Sequence, residues 1–342
     1  MMLDVMVAGG GPVGLATALY AQRAGLSVAV CEPRTGSIDK ACGEGLMPGA
    51  VAALTDLGVD PVGQPLRGIR YLDGTTDVAA AFRQGDGRGV RRTTLHAGLL
   101  AEVERADIVC VQRAVTDVVQ LEDHVLVAGM TARHLVAADG LHSPVRRQLG
   151  LDTAAHTTRR RFGLRCHAAI APWTDHVEVH WAGSAEAYVT PVDSGLVGVA
   201  ILTSEPASFD ELLRRFPALH ERLADAPLTR VRGAGPLRQR SRRRVSGRVL
   251  LVGDASGYVD ALTGEGIALG IAQARAAIEA VAGGRPERYE ASWRRITWRY
   301  RLLTAGLLSA TGVPWVRRQI VPAAAALPRV FGAAVNELAR PA

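Results

Sequence analysis

The stretch from Leu3 to Glu32 constrains this 342-residue chain more than any other. Leu3-Asp4-Val5-Met6-Val7-Ala8 reads as a short buried strand, and Gly9-Gly10-Gly11-Pro12-Val13-Gly14 supplies G-x-G-x-x-G. Residues 15–23 continue in helix formers, Gly25 ends the helix, residues 26–31 form a second strand, and Glu32 sits at its tip. Each residue type answers a mechanical need. Gly9 permits the tight turn, Gly11 lets the backbone approach a pyrophosphate, and Gly14 lets helix and strand pack closely. Gly9, Gly11 and Gly14 are all expected at the pyrophosphate. The helix start, with Pro12 and Val13, offers free N–H groups and partial positive charge to phosphates. Glu32, followed by Pro33 and Arg34, is placed to accept hydrogen bonds from a ribose. A lone glycine-rich turn would be weak, but the whole unit predicts dinucleotide binding.

Charge excludes little and suggests little. The formal net charge of +7 is carried almost wholly by arginine, since Lys40 is the only lysine. The arginines are scattered apart from residues 159–161 and 238–244, and no nucleic-acid motif accompanies them. Nucleic acid is therefore not an expected partner. A basic surface still attracts anionic cofactors or membrane lipid. Cys31, Cys42, Cys110 and Cys166 lack metal-ligand spacing, so no metal is expected. The first strand begins at once and no stretch reaches the ~20 apolar residues of a spanning helix. The expectation is a cytoplasmic chain with reduced thiols.

Farther along, residues 35–46 form a glycine-rich, charged loop containing Lys40-Ala41-Cys42-Gly43-Glu44-Gly45. It either runs beside the ligand, bringing Cys42 and Gly43 to it, or is a solvated connection with an incidental thiol. Residues 48–57 read as a helix, 69–72 and 78–82 as short strands. Arg92 opens a helix to about residue 104, where it meets a phosphate or is an ordinary surface arginine. Strands at 108–110, 115–120 and 125–128 follow. An apolar strand then closes on Asp139-Gly140, with Ser143 as N-cap and Pro144 in the first helical turn. Residues 161–202 alternate as an antiparallel sheet, and 209–224 read as one helix. Another buried strand ends in Gly253-Asp254, and a small-residue helix opens at Gly264-Glu265-Gly266-Ile267 and runs to about residue 282.

Taken together, the first motif, the Asp-Gly motif and the Gly-Asp motif resemble the superfamily of FAD-dependent aromatic hydroxylases and geranylgeranyl reductases. Thr263-Gly264-Glu265-Gly266 lacks the proline-rich segment usual in hydroxylases. With the Cys42 loop, it is closer to the geranylgeranyl reductase branch. The resemblance implies a doubly wound, Rossmann-like α/β FAD-binding domain with an inserted antiparallel β-sheet substrate domain and a helical C-terminal tail. It divides the chain into residues 1–72, 90–156 and 236–285 for FAD, 73–89 and 157–235 for substrate, and 286–342 for the tail. It implies non-covalent FAD, with Asp254 on the ribityl hydroxyls, Asp139 and Gly140 beside the cofactor, Arg92 at the phosphate or ribityl region, and N–H groups of residues 264–267 at the pyrimidine edge. NAD(P)H would bind transiently in a shared groove. Tyr188, Thr190, His180 and Trp181 are candidate pocket residues, and Cys42, Tyr188 and Thr190 the catalytic candidates.

The reaction the resemblance implies first is monooxygenation. A small apolar aromatic, polyketide or terpenoid metabolite would be hydroxylated or epoxidised through a flavin C4a-hydroperoxide. The alternative is reduction of isoprenoid double bonds. A third option is non-catalytic partner binding on the same fold, as in Rab GDP-dissociation inhibitors, against which the intact flavin motifs speak. The tail suits a cap on the pocket, a dimer surface or a peripheral membrane contact, of which the cap is preferred. Oligomeric state stays open.

Overall fold

The computed structural model describes residues 2–153 and 160–340. Its first layer is a sheet in the order Val245–Ser246, Val249–Leu251, Met130–Ala137, Leu3–Ala8, Val28–Cys31 and Val109–Val111. The last five strands run parallel, and their near-continuous apolar sequences follow from burial on both faces. Val5, Val7 and Val30 pack with Leu15 and Leu19 of the Pro12–Arg23 helix and Ile271 and Ile278 of the Gly266–Ala282 helix. Met6, Ala8 and Cys31 face the other way, toward Val145 and the antiparallel meander strand Val125–Val127.

Register positions the site. Ala8 is level with Cys31 on one side and Ala137 on the other, and Ala137 is level with Leu251. The glycine turn, Glu32, Asp139-Gly140 and Gly253-Asp254 therefore emerge at one carboxyl edge. In an open parallel sheet, that edge is where ligands bind.

The second layer is a seven-stranded sheet: Arg232–Ala234, Phe162–Ala168, Leu196–Thr203, Ala185–Asp193, His176–Ala182, Gly68–Leu72 and Asp77–Ala81. Alternation sorts its faces. Ala187 and Val189 pack under Phe209, Leu212 and Leu219, whereas Tyr188 and Thr190 project toward the first layer. Gly68–Leu72 pairs in this second sheet, although the sequence reading grouped residues up to 72 with the first lobe. The boundary at 156/157 and Arg159 lie outside the described residues. The single helix expected over 209–224 is two, Phe209–Leu213 and Pro217–Arg222. Pro217 has no N–H to continue the first helix and instead starts the second.

The tail folds back on both layers. A helix at Tyr289–Thr311 is followed by Pro314–Arg318, Ile320–Ala326 and Pro328–Leu338. Trp293 donates from its indole to Ser256 Oγ at 2.8 Å, Arg317 pairs with buried Glu186 at 2.5 Å, and Asn336 donates to the Ala81 carbonyl at 2.9 Å. No helix among the described residues is long and apolar enough to cross a membrane.

Candidate functional site

One cavity of about 1090 Å³ runs from the glycine turn, between the two sheets, to the C-terminal helices. Ordinary ligand pockets span ~300–1,000 Å³. At its first end Gly9 takes φ +101°, and a Cβ there would lie 2.6 Å from the Ala138 carbonyl oxygen. Gly11 has an extended backbone and would admit a Cβ with nothing nearer than Arg92 Nη2 at 3.8 Å. That space is the cradle. Pro12 and Val13 line it at the helix start, and among the described residues the buried Nε of Arg92 beside it has no partner.

Glu32, Pro33 and Arg34 line the same end. Glu32 accepts from Gly10 N at 2.8 Å and from Arg34 Nε at 2.7 Å. Burial alone would raise its pKa, but the hydrogen bonds from Arg34 and Gly10 outweigh it and hold the carboxyl below its usual range. The acid is ionised and rigid.

Asp139 and Gly140 form the next stretch of wall. One Asp139 oxygen accepts from Val145 N at 3.1 Å, and the other is buried with no partner among the described residues. Burial lifts its pKa above the usual carboxylate range, opposed by hydrogen bonds from Ser143 and Val145. The fully buried Arg146 then clamps this turn to the Gly-Asp turn. It donates to the carbonyls of Leu141 at 3.0 Å and Ala255 at 2.9 Å, and pairs with Asp152. Gly253 and Asp254 follow, and among the described residues the Asp254 carboxylate accepts no protein hydrogen bond. Gly264, Gly266 and Ile267 bring the start of the Gly266–Ala282 helix to the wall.

Not every expected residue reaches the cavity. Gly14 does not line it, because a Cβ there would fall 1.8 Å from the Gly9 carbonyl oxygen. Its work is helix-to-turn packing. Glu265 also lines no part of it. Its carboxyl is buried, Oε1 has no partner among the described residues, and burial, with Glu337 adding repulsion, pushes its pKa up to about 8. His180 lies on the strand face opposite Val177 and Val179, which do line the cavity, and bonds Glu178 at 3.1 Å. Trp181 packs on Tyr71 with ring centroids 5.4 Å apart. Cys42, Gly43, Tyr188 and Thr190 all line the wall. The Tyr188 hydroxyl donates to the Leu262 carbonyl and that of Thr190 to the Gly43 carbonyl, both at 2.8 Å.

Sequence reasoning missed a buried polar set behind the Cys42 loop. Glu44, at φ +59°, accepts from Arg92 N at 2.9 Å and meets His167 Nε2 at 2.7 Å. Arg165 contacts His167 Nδ1 at 3.2 Å and pairs with Asp39. A guanidinium can only donate, so His167 Nδ1 accepts and Nε2 carries the proton donated to Glu44. The only sequence signal was a carboxylate in a glycine-rich loop.

The FAD binding domain family matches residues 111–283, half of the chain. The chain belongs to that family. It binds FAD and is an FAD-dependent oxidoreductase of the aromatic hydroxylase and geranylgeranyl reductase superfamily. The glycine cradle precedes the matched stretch but is registered against it through Ala8 and Ala137. The chain is similar to a menaquinone reductase of Mycolicibacterium smegmatis, 28% identical over 328 residues that cover 85% of this chain and 79% of that one. It is similar also to a para-nitrophenol 4-monooxygenase of Pseudomonas sp., 28% identical over 322 residues, 81% of this chain and 77% of the relative. In fold it resembles the geranylgeranyl bacteriochlorophyll reductase-like protein of Thermoplasma acidophilum, with a TM-score of 0.80 at 20% identity, covering 94% and 91% of the two chains.

Proposed function

We propose that the protein reduces isoprenoid double bonds on a lipid-like substrate. The observation that carries this reading is the far end of the cavity. Beyond the flavin motifs it continues as an apolar channel lined by Val177, Val179 and Leu202 of the second sheet and by Leu303, Leu307 and Phe331 of the tail. A compact aromatic substrate does not need that length, whereas a prenyl chain does. The similarity to a menaquinone reductase supports it, since menaquinones are prenylated lipids.

In this reading the Gly9–Gly11 cradle with Pro12, Val13 and Arg92 holds the pyrophosphate, and Glu32, Pro33 and Arg34 hold the adenosine end. Asp254 takes the ribityl hydroxyls, Asp139-Gly140 shapes the adjoining turn, and N–H groups at Gly264, Gly266 and Ile267 oppose negative charge on the ring. Arg92 Nε and the Asp254 carboxylate fit this assignment, being polar groups on the wall without protein partners. When bound and reduced by NAD(P)H, FAD would supply a hydride, that is two electrons and one hydrogen nucleus, to one alkene carbon. The chain's own residues exclude water, lay the alkene along the channel and deliver a proton. Among the three catalytic candidates, Tyr188 and Thr190 donate their hydroxyl hydrogens to carbonyls, leaving Cys42 Sγ to hand a proton to the other alkene carbon. Glu44 N donates to that sulfur at 3.4 Å, which fixes its position.

Monooxygenation remains the second reading, favoured by the similarity to the nitrophenol monooxygenase. Turnover of prenyl-lipid candidates with and without oxygen, followed by product mass, separates the two. Anaerobic addition of two hydrogens supports reduction. A product that gains one oxygen atom from oxygen gas overturns it.

A further inference from the structure

The apolar channel does not end blind. Three of its lining residues, Leu302, Leu327 and Val330, are also among the most exposed apolar side chains, at 64%, 58% and 62%. They belong to the Tyr289–Thr311 helix and to the start of the Pro328–Leu338 helix, so the channel opens between these two elements. Trp298 stands one turn before Leu302 on the same helix face, 53% exposed, and Trp315, on the short helix linking the two elements, is 71% exposed. A tunnel mouth rimmed by unburied leucine, valine and tryptophan sits poorly against water.

Charge around the mouth is one-sided. From residue 291 to 340 the chain carries eight arginines and a single carboxylate, Glu337, while Arg294 and Arg317 pair with Glu290 and Glu186 from outside that stretch. Glu337 is already shared by Arg299 and Arg340, at 2.7 Å and 3.1 Å. Among the described residues, exposed Arg318 and Arg329 have no carboxylate partner. Arg318 lies three positions after Trp315, and Arg329 sits between Leu327 and Val330. Trp315 and the Leu327–Val330 edge thus each have an uncommitted guanidinium at their side, the pairing that suits acyl chains beneath phosphate headgroups.

We propose that this face docks on the surface of an anionic phospholipid bilayer, so that a prenyl chain passes from the membrane between the two helices into the channel. A second copy of the chain is the rival occupant, but a face whose uncommitted charges, Arg318 and Arg329, are both guanidinium would repel its own image. The inference rests on the reading of the channel as a path for a lipid chain, and its test requires no turnover. FAD-loaded full-length protein is floated with phosphatidylcholine vesicles with and without phosphatidylglycerol. Binding is expected only with phosphatidylglycerol, is released by added salt, and falls at least about tenfold in Trp315→Ser and in Arg318→Glu/Arg329→Glu. None of these residues lines the cavity, so the variants keep their flavin absorbance and their activity on detergent-dispersed substrate. Failure of the wild type to float with phosphatidylglycerol vesicles overturns the proposal, as does flotation that both variants retain in full. A dimer seen by light scattering that Trp315→Ser dissociates overturns it too, in favour of the second copy. Loss of reductase activity in solution with flotation intact would count against the reaction and leave the docking standing.

Discussion

Two glycines three residues apart carry opposite consequences, and replacing each by alanine separates a packing role from a cradle role. A Cβ at Gly14 would fall 1.8 Å from the Gly9 carbonyl oxygen and 3.0 Å from its carbon, both backbone atoms. The helix must move bodily off the sheet to admit it. Such overpacking costs roughly 1–3 kcal/mol or more, and this overlap belongs at the upper end. At about 2–4 °C per kcal/mol, Gly14→Ala should lower the melting temperature of the FAD-free protein by roughly 6–12 °C. A Cβ at Gly11 meets only the end of the Arg92 side chain at 3.8 Å, and the φ of −70° is open to alanine. Replacing glycine at an N-cap costs about 0.5–1 kcal/mol. The lower entropy of the unfolded alanine chain returns about 0.4–1 kcal/mol. Gly11→Ala should therefore melt within about 2 °C of the wild type. Its methyl group occupies the space a phosphate needs, and FAD affinity should fall at least about tenfold, or ~1.4 kcal/mol. Circular dichroism melts of the FAD-free proteins and FAD titrations followed by flavin fluorescence read the two effects separately. A Gly11→Ala protein with undiminished affinity, or a Gly14→Ala protein with an unchanged melt, would refute the reasoning.

Arg92→Met should fold normally, since the Nε it removes has no protein partner, and should weaken FAD binding about 10- to 100-fold, the worth of a hydrogen bond to a charged group. Cys42→Ala should leave FAD affinity unchanged and cut anaerobic double-bond reduction by roughly 100-fold; unchanged turnover would remove the cysteine from the chemistry. Glu265 gives a pH signature. Its folded pKa near 8 lies above the ordinary 4.5, so between those values the folded state keeps a proton that the unfolded state loses. Its contribution is thus fully present below about pH 4.5 and lost as pH rises toward 8, at ~1.4 kcal/mol per pH unit. Glu265→Gln should be more stable than the wild type at pH 7 by an amount on the order of 3 kcal/mol, with the gap closing toward pH 4.5; a constant gap in denaturant melts would contradict this.

The gathering of the expected cofactor residues at one sheet edge was legible because its signals are local. Gly9, Asp139 and Asp254 each follow an apolar strand by one or a few residues, and a parallel sheet in register turns those separate motifs into one edge. The opposite wall was not. Glu44 and His167 are 123 positions apart, and Arg161 reaches Glu186 and Asp260 across 25 and 99. No periodicity or spacing announces a contact that the second sheet creates by folding over the first. The same limit explains His180. Alternation says that it opposes Val177 and Val179, but only the packed sheet says which face sees the cavity. Gly14 marks a subtler limit, because the close packing read from the fingerprint matches its approach to the Gly9 carbonyl, while the place at the pyrophosphate also expected for it is not on the cavity wall.

The contacts between the two sheets join the cofactor loops to the substrate wall. Tyr188 holds the Leu262 carbonyl, Thr190 holds that of Gly43, and His167 holds Glu44, whose other oxygen binds the first N–H of the Arg92 helix. A ligand that shifted the second sheet would therefore pull on the loops around the flavin. The tail adds a third connection. Arg317 and Arg161 share Glu186, and Arg161 also binds Asp260 of the segment between the Gly-Asp turn and the following helix. The flavin end is built from motifs that reductases and monooxygenases of this superfamily have in common. The helices that extend the channel and open it contain no recognisable motif. On the proposed reading, a channel shortened or refilled within residues 289–338 should change which molecules reach the flavin while leaving FAD binding intact.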